Sequence, residues 1–524
     1  MPGNRLPSAD ILSSYGVSSA MTRHLRALVL LAIATPVVQL SAQGAAAAAA
    51  PVECKVETLQ PQPLGIAYLQ RGKVVQAKTP DDAMKAIREA MKSIQDDKNK
   101  ANVQGRDFLL GQFFILAAEY GDVQTRGNLG LNGDKNATVD LIVSADSLFQ
   151  TIEKAQPTCV TEISQWREYK PYQALVQGAY KAFGAGLSDS AEKLAKRAQI
   201  LSKGGPQPYD VFWRVAQKKG DEAGMVVNLT SAIDKLAGDT ANAIVRSNFM
   251  YNLGRIQMDF ADKKTDKAAK AAGYKSAAKA YMQLLKEYPS SDEAPFALSG
   301  ISAASTLTSD TAMGMAAVEV LKASPSKFSD QALATAGVMA TKAGKTADAV
   351  TMFEAATKVN PYSRDYLYNF AAMLYDAHRA AEMMPVVTRL VAIDPSNSDN
   401  VMLFAFAFKG LSDLEKDPKA KKALVDSTVA YGNIADQMNL AHKVVYTMFD
   451  RTKEHTTLGG EVENHGKVAR SFTIEFEFVG KDGAVVAKQS ATVANVAAGG
   501  TGAFTVDIPT GGVAGVRYAP LPLK

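Results

Sequence analysis

The sequence predicts a mainly α protein, a solenoid of helical hairpins that ends in a small antiparallel β-sandwich. Three observations carry that prediction. Amphipathic stretches of helical period fill most of the chain from about 80 to 438. Four helix-ending phrases close on proline (LLKEYPSS at Pro289, LKASPSKF at Pro325, TKVNPYSR at Pro361 and VAIDPSNS at Pro395), separated by 36, 36 and 34 residues. From about Val444 the apolar period switches to two, most plainly in SFTIEFEFV at 471–479. A period of about 34 that closes on proline marks helix–turn–helix repeats, because proline stops one helix and prepares the next.

The chain opens on a leader. Arg23 and Arg26 precede an apolar run at 27–40 (ALVLLAIATPVVQL), followed by Ser41, Ala42, Gln43 and an alanine tract. A basic end, a short apolar core and small residues at a cut site are the parts of a secretory signal peptide, expected over 21–43. The run is shorter than the ~20 residues of a spanning helix and is interrupted by Pro36, so no stable transmembrane anchor is expected. With a leader starting at Met21, residues 1–20 are expected to be a mis-assigned start. Residues 44–80 read as an extended N-terminal segment. Cys54 and Cys159 allow one disulfide in an exported protein, or stand as two separate buried thiols.

In the unit that closes on Pro361, the packing positions are Leu333, Ala336, Gly337, Ala340, Ala349, Phe353 and Ala356. In the next they are Leu367, Phe370, Ala371, Leu374, Met383, Val387 and Leu390. These phrases resemble tetratricopeptide (TPR) repeats, and GYKSAAKAYMQLLKEYPSSDEAPFAL is similar to repeats of exported bacterial cell-envelope TPR proteins. The resemblance implies a right-handed TPR-like α-solenoid, with TPR repeats and a capping helix over 238–443 and more degenerate repeats over 81–237. Earlier helical pairs trace at 81–120, 166–202 and 207–237, and GDVQTRGNLGLNGD at 121–134 reads as a loop that breaks the array. Residues 444–524 complete the chain as five or six short strands, with Lys481, Asp482 and Gly483 as a hairpin turn. GEVENHG and FEFVGKDGAVV there resemble small Ig-like domains, FxLYD among them, at the ends of exported bacterial proteins.

Composition excludes several functions. Hydrophobic residues at 47% and charged residues at 21% are ordinary for a folded chain. Fifty-eight basic and 53 acidic side chains leave a net charge of +5 with no one-signed stripe, so no nucleic-acid partner is expected. Gly344, Lys345 and Thr346 match the end of a phosphate loop, but Met339 stands where the motif needs glycine, and the phrase reads as a turn between helices. Ser276–Ala–Ala–Lys279 and Ser324–Pro–Ser–Lys327 match Ser-x-x-Lys, yet no Lys-Thr-Gly accompanies them. Glu461, Glu463 and His465, with His455 nearby, are the one conceivable metal cluster and read as the wet face of an edge strand. No cofactor and no metal is expected.

The functional surface comes from the resemblance. In TPR arrays the first helix of each hairpin lines a concave groove. Those positions fall here on Val338, Thr341 and Lys342, on Tyr368, Ala372 and Tyr375, and on Met402, Phe406 and Lys409. The implied partner site is Tyr368, Tyr375, Met402, Phe406, Lys342 and Lys409, whose amphipathic surface suits an extended peptide or a partner helix. The alternative is that some of these pack against a capping helix at 419–438. Of the polar clamp that holds a peptide's terminal carboxylate in some TPR proteins, only Asn369 is present. The expected function is a non-enzymatic scaffold or adaptor for a protein or peptide partner, periplasmic or secreted, in the bacterial envelope. A carrier of a cell-wall glycan is the alternative, and an enzyme with its site in the irregular 101–165 region a more distant one.

Overall fold

The computed structural model describes Cys54 and residues 64–96, 103–452 and 454–523. The signal peptide expected at 21–43, and the start at 1–20, lie outside these residues. Contacts divide the described residues into two compact units, one up to Ile256 and one from Gln257 onward. Among the described residues no helix is long and apolar enough to cross a membrane.

The first unit is built from α1 (Leu64–Gln76), α2 (Pro80–Ile94), α3 (Val103–Ala118), a short insert, α5 (Leu141–Ala155), α6 (Val160–Arg167), α7 (Lys170–Gly184), α8 (Ser188–Leu201), α9 (Pro206–Lys219) and α10 (Glu222–Lys235). Thr79 accepts from the Asp82 amide to cap α2, with Pro80 in the first turn. The helix at 64–76 corrects the expectation of an extended segment there. Gly65, Gly72, Val74 and Val75 weaken its helix propensity, but Leu64, Ala67, Gln70 and Val74 recur every three or four residues and are buried. Packing against α2 overrides propensity.

The insert holds β1 (Val123–Thr125), α4 (Arg126–Leu129) and β2 (Thr138–Asp140), so the loop expected at 121–134 contains a short strand and a helical turn, and that strand pairs antiparallel with β2 just beyond it. Arg197 on α8 grips its base, donating to Asp140 at 2.6 and 2.9 Å and to Asp122 at 3.2 and 3.3 Å. Cys54 and Cys159 are joined as a disulfide across 105 residues of sequence, which settles the two readings of the cysteines. In the chain-entropy account, closing a loop of this size removes roughly 4–5 kcal/mol of unfolded-state freedom.

The division between the units falls within α11 (Ala243–Lys263). The second unit continues with α12 (Lys267–Glu287), α13 (Ala294–Thr308), α14 (Thr311–Ala323), α15 (Asp330–Lys342), α16 (Thr346–Val359), α17 (Arg364–Asp376), α18 (Ala380–Ile393), α19 (Ser398–Leu414) and α20 (Pro418–Asn439). Successive helices pack on one another as a TPR-like array. All the apolar repeat positions from Leu333 to Ala356 and from Leu367 to Leu390 named above are buried. Gly337 has no side chain because the Phe353 ring takes its place: a Cβ there would lie 2.8 Å from the ring. The Gly-Lys-Thr phrase is the α15–α16 turn, with Gly344 at φ 68°. That left-handed angle is one glycine adopts freely.

Six strands follow: β3 (His442–Arg451), β4 (Thr456–Asn464), β5 (Arg470–Val479), β6 (Val485–Val496), β7 (Thr501–Ile508) and β8 (Gly515–Tyr518). They form two three-stranded antiparallel sheets, in the orders β3-β4-β7 and β6-β5-β8. Phe472, Ile474, Phe476 and Phe478, the alternate residues of β5, meet Val462, Phe504 and Val506 of the other sheet in one core. Phe476 stacks on Phe504 with ring centroids 5.3 Å apart. The expected turn at 481–483 joins β5 to β6, with Gly483 at φ 80°.

Phe353→Ala should cost ~3–5 kcal/mol, the range for truncating a buried aromatic. Repeats on either side should gain hydrogen exchange before distant ones, since such arrays are stabilised by nearest neighbours. Denaturant melts read the first, and exchange mass spectrometry the second. Faster exchange in the sandwich alone would contradict the repeat register.

Candidate functional site

The first helices of three successive hairpins, α15, α17 and α19, carry the sequence-derived groove positions. Tyr368 and Tyr375 are half-buried on α17, two turns apart on one helix face. The Tyr375 ring lies 5.2 Å from Phe406 of α19, tilted by 39°. Thr341 on α15 reaches 3.3 Å to the Met373 sulfur on α17, so side chains bridge neighbouring first helices. Lys342 is exposed. Lys409 is held by Asp413 at 2.7 Å, a hydrogen bond that raises its ammonium above the ordinary lysine range. Met402 is brought elsewhere: it packs with Val401 against Ala435 and Met438 of α20. Tyr431 of α20 also stacks on Phe404 and Phe408, at 4.9 and 5.4 Å. The structure therefore joins Tyr375 to Phe406 and sets Met402 beside the terminal helix.

The histidines of the sandwich separate into pairs. His465 lies 2.9 Å from Glu463, with its other ring nitrogen 2.6 Å from the Asn439 carbonyl, while His455 pairs with Asp507. Among the described residues no three His, Cys, Asp or Glu side chains are grouped to hold a metal.

Sequence reasoning missed a second constellation, where the sandwich seats on the repeats. The residue before each of the last two turn prolines is polar and fully buried: Asn360 before Pro361, Asp394 before Pro395. Asn360 donates to the Ala514 carbonyl at 2.8 Å and to Asp330 at 3.0 Å. Asp394 accepts from the Tyr518 hydroxyl at 2.5 Å and from Asn400 at 2.7 Å, and lies 3.4 Å from the Arg364 guanidinium. That guanidinium lies 4.5 Å from the centre of the Tyr446 ring. Burial first, and then the charge of Asp394, pushes the Tyr446 and Tyr518 hydroxyls well above the ordinary phenol range. Burial would raise Asp330 as well, but hydrogen bonds from Asn360 and Arg451 and the Arg451 charge hold it below the usual carboxylate range. The signal was present in the sequence as two polar residues 34 apart, at a site where a solenoid alone would leave them in water.

No protein-family model matches the chain. No curated protein matches it in sequence. Solved structures similar to it include TPR proteins. A Pseudomonas aeruginosa pilF structure is 14% identical, covering 51% of this chain and 91% of that one, with a TM-score of 0.21. A tetratricopeptide repeat protein from Parabacteroides merdae is 16% identical, covering 49% and 98%, with a TM-score of 0.23. The TPR2AB domain of yeast Sti1, in complex with pHSP90, is 16% identical, covering 51% and 95%, with a TM-score of 0.21. Superpositions this loose carry nothing about function, and the fold rests on the helices and strands themselves.

Two outcomes follow from these contacts. Asp394→Ala removes the buried carboxylate that accepts from Tyr518 and Asn400 and faces Arg364, and should cost about 3–5 kcal/mol, as breaking a buried pair does. A loss below about 1 kcal/mol in urea melts would mean the site is solvated. His442, where α20 enters the sandwich, is 1% exposed, and burial, with Arg470 and His465, depresses its pKa to about 4. The unfolded chain therefore takes up a proton that the folded sandwich refuses. Stability should be full above the unfolded value of about 6.5 and fall as pH drops towards 4. Melts of His442→Leu over that range should show a shallower slope than wild type, and an equal slope would assign the effect to other groups.

Proposed function

We propose that the chain is an exported bacterial scaffold or adaptor that holds a protein or peptide partner in the groove of its last repeats, without catalysis. The observation that carries this reading is the run of half-buried aromatic rings on successive first helices, Tyr368 and Tyr375 on α17 and Phe406 on α19. Rings of this kind lose little conformational freedom on binding and bury much area, which suits anchors for a peptide. Lys342 and Lys409 flank them as charged rim positions, and Met402 extends the apolar surface towards α20. Export is supported by the leader at 21–43 and by the Cys54–Cys159 disulfide, because such bonds persist in oxidising compartments. The sandwich, by its resemblance to Ig-like modules of exported proteins, fits the same setting.

The double change Tyr368→Ala with Tyr375→Ala tests the groove. Each anchor is worth about 2 kcal/mol at a well-packed contact, so capture of envelope proteins by the immobilised chain should disappear. Thermal stability should fall much less than for Phe353→Ala. Undiminished capture of protein partners by the double variant would overturn the groove reading. Retention of purified cell-wall glycan in place of protein would favour the carrier reading instead.

A further inference from the structure

We infer that the β-sandwich is an internal brace that fixes the spacing of the three groove-lining helices α15, α17 and α19. It touches the array at the start of each. Arg451 donates to Asp330, the first residue of α15, at 3.3 Å. Arg364, the first residue of α17, lies against the Tyr446 ring. Lys443 reaches Asp399, the second residue of α19, at 2.7 Å, and the Leu521 amide donates to Ser396 just before that helix at 2.8 Å. One short segment of the sandwich serves two repeats at once. Ala514 takes Asn360 and Tyr518 takes Asp394, so an advance of four residues along nearly extended chain matches the advance of 34 residues over one hairpin. Four residues of strand measure about 13 Å, comparable with the step between hairpins, since packed helix axes lie about 8–10 Å apart.

Two glycines make the fit close. A Cβ on Gly515 would run into the Tyr362 carbonyl oxygen, and one on Gly483 into the Tyr362 hydroxyl. The sandwich is also tied covalently to the array, because α20 passes directly into β3. Covalent attachment at one end and polar rungs at three successive turns make a closed frame. An unbraced solenoid is held only by neighbour contacts and flexes along its length. The consequence for partner capture rests on the groove reading, but the brace itself does not.

The test uses the full chain with spin labels at Lys345→Cys and Lys416→Cys, exposed turn residues in the first and third hairpins. The native cysteines are already joined, so they take no label. Electron–electron distance measurement without any partner should give one narrow distribution for the wild type and for Lys488→Ala, an exposed control on β6. Gly515→Val should broaden that distribution and shift its mean by on the order of 2 Å or more, the scale of helix shifts at repacked interfaces. Tyr518→Phe should fall between. If Gly515→Val does not fold, Asn360→Ala with Tyr518→Phe takes its place. A distribution identical to wild type, in a variant whose 514–518 amides have lost exchange protection, would overturn the brace. Because no partner is present, failure of the groove reading would leave these distances unchanged.

Discussion

The array depends on one constraint: a helical hairpin is too thin to bury a core alone, so a large ring must fill space that a missing side chain leaves open. Phe353 does this over Gly337, Tyr281 over Gly300, and Phe149 over Gly111, so both units use the device. In each case a single methyl group on the glycine would collide with the ring. Close packing of this kind tolerates little change of volume, because interiors are filled to crystal-like density. The rings hold helix against helix. The surfaces left over, on the first helices and along the turns, are then free to do other things.

What was legible in the sequence follows from that constraint. The proline-closed period, the small and large positions around Phe353 and Val387, and the alternation in β5 are local patterns that each require one geometry. The helix at 64–76 was hidden because its glycines and valines argue locally against it, and its support comes from packing on α2. The pair β1 and β2 was hidden because each strand has three residues, too few to show a period. Of the groove, the helix faces could be placed but not the neighbours. The contact of Tyr375 with Phe406 joins residues 31 apart, and the seating of Met402 against α20 depends on where a terminal helix folds back.

The seat of the sandwich was the least legible part, and its chemistry explains why. It is polar. Asn360, Asp394, Arg364 and Tyr518 are residue types that a pattern reading sends to the surface, and their burial is compensated by partners that include Ala514 for Asn360 and Tyr518 for Asp394, more than a hundred residues away. Burying charge costs more than burying methyl groups, so such an interface is a poor route to stability. It does discriminate. Asn360, Asp394 and Tyr518 find their hydrogen-bond partners in one alignment of sandwich on array, and a slipped alignment would leave several of them unpaired at about 1–3 kcal/mol each.

The rungs at Asn360 and Asp394 also restrict how the gene can vary. Repeat arrays usually lengthen or shorten by whole hairpins, and single-residue insertions are absorbed in their turns. At the turns of Asn360 and Asp394 neither route is open, because a strand with a fixed rise per residue is laid across them like a vernier against its scale. An added hairpin there would displace one rung by a full repeat while the strand stayed the same length. Growth and loss of repeats are therefore confined to the chain before Asp330, and the braced segment must be inherited as a block.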